Sequence, residues 1–260
     1  MSNVYELFPD RDLGGEAPAS VTSSGTLSGD AERRQLREAL AEREAELSLL
    51  AQVISHDLRS PLRAIAGFGE LLQEELDGKL DETQLDYMRR VIEGADRMHE
   101  MIDALVSYLR LGPAELQPVE LGSLVDELIA ERAARADVSR GELPRVEADP
   151  ALVRQLIDAL LENSLRFRDP ERPPNVRVEA RREGERWVIE VRDEGIGFDP
   201  QHAERAREIF AQLHPRGRYP GLGVGLAFAT KIAHLHDAEL WIESAPGQGT
   251  AVRFHLASAS

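Results

Sequence analysis

The stretch Gln-Val-Ile-Ser-His-Asp-Leu-Arg-Ser-Pro-Leu-Arg-Ala-Ile, residues 52–65, places a proline and a histidine inside a pattern typical of a helix. Its apolar residues recur every three or four positions, which predicts one helical face. Pro61 cannot donate a hydrogen bond to the carbonyl of Asp57, so we expect the helix to kink or loosen there. His56 lies in that turn, where an imidazole is a nucleophile near neutral pH and Asp57 could orient it or take its proton. Taken alone, the pair could equally be a solvated histidine on a helix face.

The composition of the 260 residues bounds the kind of protein. With 42% hydrophobic and 30% charged residues, the chain is typical of soluble globular proteins and long enough for two domains. The absence of cysteine excludes disulfides and fits a reducing cytoplasm. No apolar run approaches the roughly eighteen residues of a membrane span, and no signal-peptide pattern is present, so we expect a cytoplasmic protein that contacts no membrane. A net charge of −16 disfavours nucleic acid as a partner.

The first part of the chain predicts an arm and a helical hairpin. Residues 1–30 are rich in glycine, serine and proline, which predicts a disordered arm, too short for a sensor domain. Residues 31–111 predict a coiled coil and two helices, one from about 31 to 76 and one starting near Glu82, joined by a short loop. Pairing two hairpins as a homodimer would bury their apolar stripes in a four-helix bundle. The heptad-like seam consists of Leu36, Leu40, Leu47, Leu50 and Ile54.

The pattern changes after a linker at residues 112–118, which begins with Gly-Pro. Residues 119–257 predict an α+β domain in which a helix layer covers a mixed sheet. The predicted strands lie at about residues 115–121, 143–147, 176–181, 186–192, 239–244 and 250–256. The predicted helices lie at about 123–135, 150–167 and 225–236.

A first glycine cluster, Asp193-Glu194-Gly195-Ile196-Gly197, follows a predicted strand. The two glycines would let the backbone approach a flat ligand closely. Asp193 could accept a hydrogen bond from an exocyclic amine such as that of adenine. A tight turn is the alternative interpretation of this cluster alone.

A second cluster, Gly221-Leu222-Gly223-Val224-Gly225-Leu226, opens a helix and would bring backbone amides and a helix N-terminus towards an anion. It follows no strand and lacks the Gly-Lys-Ser/Thr ending of a P-loop, which excludes the dinucleotide-fold and P-loop interpretations. Residues 199–219, between the clusters, could form a mobile lid or a solvated loop. This segment carries Arg205, Arg207, Arg216 and Arg218.

The helix after Pro150 carries Asn163 and Arg166 on its polar side. An amide oxygen is a good ligand for Mg²⁺ that bridges phosphates, and Arg166 could add a cation for the same phosphates. Taken alone, Asn163 could equally be an ordinary polar residue of a helix face.

Five segments, in this order, resemble the sensor histidine kinases of two-component systems. They are the phospho-acceptor box at residues 55–62, the N box at 160–167, the first glycine box at 193–197, the phenylalanine box at 209–214 and the second glycine box at 221–227. The segment 167–225 resembles bacteriophytochrome-type kinases in particular. The resemblance covers residues 31–257. It implies a dimeric antiparallel helical hairpin followed by a Bergerat-type α/β sandwich that binds ATP.

The resemblance also implies the chemistry and its partners. The γ-phosphoryl group of ATP would pass to His56, with Asp57 as its orienting base, and then to an aspartate of a response regulator receiver domain. Mg²⁺ would be bound by Asn163, and a separate sensor protein is a candidate source of the input signal. Further nucleotide-binding residues carried over by position are Arg166, Phe167, Asp193, Gly195, Gly197, Gly221, Gly223, Gly225 and Leu226.

Three positions depart from the family pattern. Ala159 stands where many members have a second asparagine and related ATPases have a water-activating glutamate, which disfavours ATP hydrolysis and could weaken metal binding. Arg166 replaces the usual lysine and keeps its charge. Ser60 stands where members with strong phosphatase activity have threonine or asparagine. Two alternatives therefore stay open: a non-catalytic or phosphatase-biased signalling scaffold with the kinase fold, and a serine kinase of the same ATP-binding class.

Overall fold

The computed structural model describes residues 25–132, 137–172, 175–214 and 219–259. The chain divides into two compact units, residues 1–46 and 47–260. Helix α1 spans Gly25–Glu75, so residues 25–30 are helical, which corrects the end of the predicted disordered arm. Residues 1–24 lie outside the described part of the chain, as do the side chains of Leu36, Leu40 and Leu50. Within the described residues, no helix combines the length and the apolar content needed to cross a bilayer.

The hairpin consists of α1 and of α2, which spans Glu82–Leu109. Helix α1 continues through Pro61, so the proline does not end it, and the expected kink stays a prediction. A reciprocal cap fixes the start of α2. The Asp81 carboxylate accepts from the Gln84 backbone N–H at 2.8 Å, and the Gln84 side chain accepts from the Asp81 N–H at 3.0 Å.

The two helices touch along a narrow internal seam. Ser55, Leu62, Ala95 and Val106 are buried there. Gly69 packs so closely that a Cβ atom would lie 2.7 Å from Cγ1 of Ile92. A second stripe of large apolar side chains stays exposed, which a hairpin cannot cover by itself. This exposed stripe contains Leu47, Leu49, Val53, Ile54, Leu58, Ile65, Phe68, Leu71, Leu72, Leu85, Tyr87, Val91 and Met98.

The residues after α2 form a sheet and a helix layer, as the sequence predicts. The strands are β1 Gln117–Glu120, β2 Asp137–Arg140, β3 Arg145–Ala148, β4 Asn175–Glu183, β5 Arg186–Asp193, β6 Leu240–Ala245 and β7 Gly249–Ser258. The helices are α3 Leu121–Ala130, α4 Pro150–Arg166, α5 Ala203–Ala206 and α6 Gly225–Leu235, and a 3₁₀ turn covers Pro200–His202. Helix α3 ends at Ala130, before the predicted end near residue 135, and a turn follows at residues 131–132.

The sheet order is β1-β3-β7-β5-β4-β2, with β6 also paired to β7. The strand β2, which the sequence did not predict, lies at an edge and pairs in parallel with β4. The other described pairs are antiparallel, so the predicted mixed sheet is confirmed. The β4–β5 hairpin turns at Gly184, whose φ of 62° suits glycine.

The core lies between one face of the sheet and the helices α3, α4 and α6. Its fully buried residues include Leu121, Ile157, Ile189, Ile232 and Phe254. Asp149 caps α4 by accepting from the N–H groups of Ala151 and Leu152, and Pro150 occupies the first turn, where its missing N–H costs nothing. This cap and core fix α4 against α6 and β5.

Candidate active site

A cavity opens between α4, the start of α6, the end of β5 and the described residues of the segment between the glycine clusters, 199–214 and 219. Its space is about 940 Å³ when the open mouth is included. Of the predicted nucleotide-binding residues, all except Gly195 line it. The full lining is Leu160, Asn163, Ser164, Arg166, Phe167, Val191, Asp193, Gly197, Phe198, Ala206, Ala211, Gln212, Leu213, His214, Tyr219, Pro220, Gly221, Gly223, Gly225, Leu226, Thr250 and Val252.

Asp193 is the largely buried carboxylate of this cavity. One oxygen accepts from the backbone N–H groups of Gly195 at 2.9 Å and Thr250 at 3.1 Å. The other lies 3.1 Å from the hydroxyl of Ser164, which also lies 3.0 Å from the carbonyl of Leu160. Burial raises the pKa of Asp193, although these three donors act in the opposite direction. The side chain is therefore held in one orientation and keeps lone pairs for a ligand.

Ser164 and Thr250 are functional candidates that sequence reasoning missed. Ser164 follows the predicted metal ligand Asn163 directly, which could have drawn attention to it. Thr250 acts through its backbone N–H, which any residue type but proline offers, so its side chain gives no signal in the sequence.

Backbone atoms of other segments pack closely against the two glycines of the first cluster. Gly195 does not line the cavity, and a Cβ atom there would lie 2.4 Å from the carbonyl oxygen of Phe167. At Gly197, with φ 57°, a Cβ atom would lie 2.1 Å from the carbonyl oxygen of Ala245. The close approach that these two glycines allow within the protein is between backbone segments, and the approach of a flat ligand to them stays a prediction.

The second glycine cluster packs against the polar side of α4. A Cβ atom at Gly225 would lie 2.8 Å from the Asn163 amide, and one at Gly221 would lie 2.4 Å from the Arg166 guanidinium. Arg166 also lies 3.3 Å from the carboxylate of Glu162, one turn earlier. Helix α6 begins at Gly225 without a side-chain cap, so its first N–H groups and its positive dipole end border the cavity.

The segment between the clusters forms the remaining wall. The side-chain amide of Gln212 donates to the carbonyl of Gly221 at 2.6 Å, which ties this segment to the second glycine cluster. The rings of Phe167, His214 and Tyr219 pack together with centroids 5.4 to 5.6 Å apart. Of the four predicted lid arginines, Arg205 and Arg207 do not line the cavity, and Arg216 and Arg218 lie outside the described residues.

His56 and Asp57 are not part of the cavity lining and lie on the exposed side of α1. The His56 side chain is 84% exposed, and its Nδ1 lies 3.2 Å from the Asp57 carboxylate. A carboxylate only accepts hydrogen bonds, so this contact favours the tautomer with the proton on Nδ1. The lone pair of Nε2 then faces solvent and is accessible to an electrophile.

A contact links α6 to the end of α2. Lys231 donates to the backbone carbonyl of Tyr108 at 2.8 Å and lies 4.8 Å from the centre of its ring. The ring of Phe228 meets the same tyrosine edge to face, with centroids 5.5 Å apart. The helix that borders the cavity is therefore attached to the helical hairpin that carries His56.

The described residues contain no group of three or more metal-binding side chains. Asn163 offers one amide oxygen at the cavity wall, beside Arg166 and the start of α6. This fits Mg²⁺, which commonly takes one or two protein ligands and completes its shell with phosphate oxygens and water.

Two family profiles match this chain. The His Kinase A (phospho-acceptor) domain covers residues 46–113, and the histidine kinase-, DNA gyrase B-, and HSP90-like ATPase covers residues 148–260. The chain belongs to the two-component histidine kinase family. Both expected kinase domains are thereby identified in the expected order.

Curated kinase-family relatives match across both domains. Phytochrome-like protein Cph1 of Synechocystis is 32% identical over 232 residues, which cover 86% of this chain and 31% of that protein. The methanogenesis regulatory histidine kinase FilI of Methanothrix harundinacea is 32% identical over 256 residues, covering 94% of this chain and 28% of that protein. The chain therefore spans about a third of the length of these relatives.

Among solved structures, full-length ShkA in complex with AMPPNP matches with a TM-score of 0.58 and 23% identity. The match covers 81% of this chain and 46% of ShkA. At this identity the likeness supports the α+β kinase fold.

Proposed function

We propose that this chain is an ATP-dependent protein-histidine kinase that phosphorylates itself at His56. The observation that carries the proposal is the convergence of Asn163, Arg166, Asp193 and the second glycine cluster on one cavity. These groups come from α4, β5 and the start of α6, and together they suit a base, a polyphosphate and a hard cation.

Each part of ATP has a matching group in this proposal. Asp193 accepts a hydrogen bond from the exocyclic amine of adenine, since its carboxylate is oriented by three protein donors. The N–H groups at the start of α6 and the guanidinium of Arg166 bind the phosphates. Asn163 would hold Mg²⁺, which would neutralise the charge of the triphosphate.

The residues of α1 supply the nucleophile. The lone pair of His56 Nε2 forms the new P–N bond with the γ-phosphorus, while the P–O bond to the β-phosphate breaks and ADP leaves with that electron pair. The Nδ1 proton passes to Asp57, which lies 3.2 Å away, so the phosphorylated ring stays neutral. A receiver-domain aspartate of a response regulator then takes the phosphoryl group.

The exposed stripe of the hairpin supports a homodimer. Its side chains include Ile54, Leu58, Phe68 and Leu72, which recur at helical spacing along α1. A second hairpin that covers this stripe would complete a four-helix bundle and remove the apolar surface from water. The cytoplasmic location and the separate sensor protein stay predictions from the sequence.

Incubation with γ-labelled ATP and Mg²⁺ tests the activity. We expect acid-labile, base-stable label on the wild type, because phosphohistidine has this stability pattern. His56→Gln should abolish it, whereas His234→Gln, which changes an exposed histidine in the last turn of α6, should keep it. Equal labelling of wild type and His56→Gln would overturn the assignment, and acid-stable label on a partner would indicate the serine-kinase alternative.

Ala159 motivates the non-catalytic scaffold, whereas the geometry of the described site favours the kinase. The cavity is formed, and the glycine clusters and Asn163 are in place. Calorimetry with an ATP analogue distinguishes the two functions, since a scaffold without nucleotide chemistry predicts no Mg²⁺-dependent binding.

A further inference from the structure

An ion pair between Arg59 and Asp103 bridges the two hairpin helices close to His56, and His99 lies beside it. Arg59 of α1 donates to one carboxylate oxygen of Asp103 from Nε at 2.9 Å and from Nη2 at 2.6 Å. The other oxygen of Asp103 lies 3.5 Å from Nε2 of His99 on the same helix. The guanidinium is therefore held by a carboxylate that has a second partner.

Arg59 lies three residues after His56 on an uninterrupted helix. Side chains at this spacing are neighbours, with Cβ atoms roughly 5–6 Å apart. A guanidinium on this turn can reach a group attached to the outer nitrogen of His56. Asp103 lies on the other helix and currently engages two of the donor nitrogens of Arg59.

Phosphorylation of His56 would change the balance of charge around Arg59. The phosphoryl group adds nearly two negative charges and three acceptor oxygens, and guanidinium binds such a group by paired hydrogen bonds. The bridge to Asp103 is a weak competitor, because both of its side chains are partly exposed to water, 36% and 48%. Asp103 keeps His99 as a neighbour when Arg59 leaves.

We propose that Arg59 binds the phosphoryl group on His56, and that Asp103 is a positioning residue that holds the guanidinium until that group arrives. The inference rests on the proposed phosphorylation of His56. It adds a binding residue for the phosphorylated state, and it gives the bridge between the helices two alternative arrangements.

The two residues of this bridge have opposite expected effects. Arg59→Gln removes a cation that stabilises phosphorylated His56. Asp103→Asn removes the competitor for that cation. A bridge that only holds the helices together would instead respond in the same direction to either change, because both substitutions break the same ion pair. The sign of the two effects therefore separates phosphoryl binding from a structural role.

The experiment measures the equilibrium between ATP with free His56 and ADP with phosphorylated His56, at a fixed ADP concentration. We expect Arg59→Gln to lower the ratio of phosphorylated to free His56 about three- to tenfold, because it removes one partly exposed, charge-assisted contact. Asp103→Asn should raise it about twofold, and Arg59→Lys should recover part of the loss. Arg63→Gln, which removes an exposed arginine one turn further along α1, is the control and should change little.

A second arm makes the result independent of ATP use. Phosphoramidate phosphorylates histidine chemically, and mass spectrometry of the His56 peptide follows its decay in each variant. Faster decay in Arg59→Gln and slower decay in Asp103→Asn support the proposal. Shifts in the same direction for both variants, or no shift in either, overturn it. Absence of label from ATP combined with the expected decay pattern would overturn the proposed kinase activity alone.

Discussion

The helical hairpin and the α/β domain solve the problem of burying apolar surface in different ways. In the α/β domain, the sheet and its helices enclose side chains such as Phe254 and Leu161 completely. In the hairpin, Phe68 is 68% exposed, and the buried residues described between the two helices are Ser55, Leu62, Ala95 and Val106. The α/β domain is therefore closed within one chain, whereas the hairpin presents a surface that suits a second copy.

This difference indicates which region is held in one geometry and which region can rearrange. A closed core holds Asp193 and α4 in one geometry, which a nucleotide site needs. An open hairpin with a weak bridge such as Arg59–Asp103 can rearrange at low cost, which suits a region that passes a phosphoryl group on. Substitutions matched between the two regions test this contrast.

The largest expected effect comes from a pair of phenylalanines. Phe254→Ala should lower the free energy of unfolding of the α/β domain by about 3–5 kcal/mol, because it leaves a cavity in a packed core. Phe68→Ala should leave that domain unchanged and weaken dimerisation. Chemical unfolding and sedimentation measured on both variants check this. If both variants lowered the stability of the α/β domain equally, the contrast between a closed core and an exposed hairpin surface would be wrong.

Asp193→Asn should affect binding and stability in opposite directions. The amide can turn its NH₂ towards the adenine amine and lose the acceptor, so ATP affinity should fall roughly five- to more than hundredfold, for a cost of about 1–3 kcal/mol. The free variant should be at least as stable as wild type at neutral pH, because it no longer buries an ionised carboxylate. Calorimetry and thermal unfolding measure the two quantities. Unchanged affinity in a folded variant would exclude the adenine role.

The sign of the pH dependence follows from the raised pKa of Asp193, caused by its burial. A carboxyl whose pKa is higher in the folded state stabilises the fold when protonated, below its unfolded pKa, and loses that contribution as pH rises through the folded pKa. The stability of wild type relative to Asp193→Asn should therefore decrease as the pH rises above the usual carboxyl pKa of about 3.9. A stability difference between the two proteins that stays constant with pH would contradict a raised pKa of Asp193.

Two glycines with similar backbone angles give a smaller, matched test. Gly223 has φ 78°, and a Cβ atom would lie 2.2 Å from the carbonyl oxygen of Ala211, whereas Gly247 has φ 74° and open space around it. Gly247→Ala should cost about 1–2 kcal/mol from backbone strain alone. Gly223→Ala should also displace the cavity wall and lower ATP affinity about tenfold or more, as one lost contact of roughly 1.4 kcal/mol would. Equal nucleotide affinity in both variants would exclude a special role for Gly223.

The smallest expected effect concerns α1 ahead of His56. Inserting one to seven residues near Ala45 rotates the preceding helix by about 100° per residue, so a helix that transmits a signal should give severalfold changes in autophosphorylation that follow the heptad phase. A helix that only clamps the dimer should give a flat series. A flat series with dimerisation retained would contradict signal transmission through α1.

Much of the fold could be predicted from the sequence, because it is encoded over short distances. The periodicity of α1 and α2, the loop before Glu82 and the β4–β5 hairpin at Gly184 all depend on residues close together in the chain. The ordered glycine clusters and Asn163 also indicated most of the cavity. The strand β2 could not be predicted, because it has one apolar residue, Val138, and is held by pairing with β4.

The sequence by itself determined the helices, the main strands and the residue types that a phosphoryl-transfer site requires. Only the tertiary structure decided which groups meet. Asp193 is oriented by Ser164 and Thr250, which are 29 and 57 residues away, and Arg59 is paired with Asp103, 44 residues away. Local patterns fix helices and turns because neighbouring residues set the backbone angles, whereas these contacts exist only after the core has brought distant segments together.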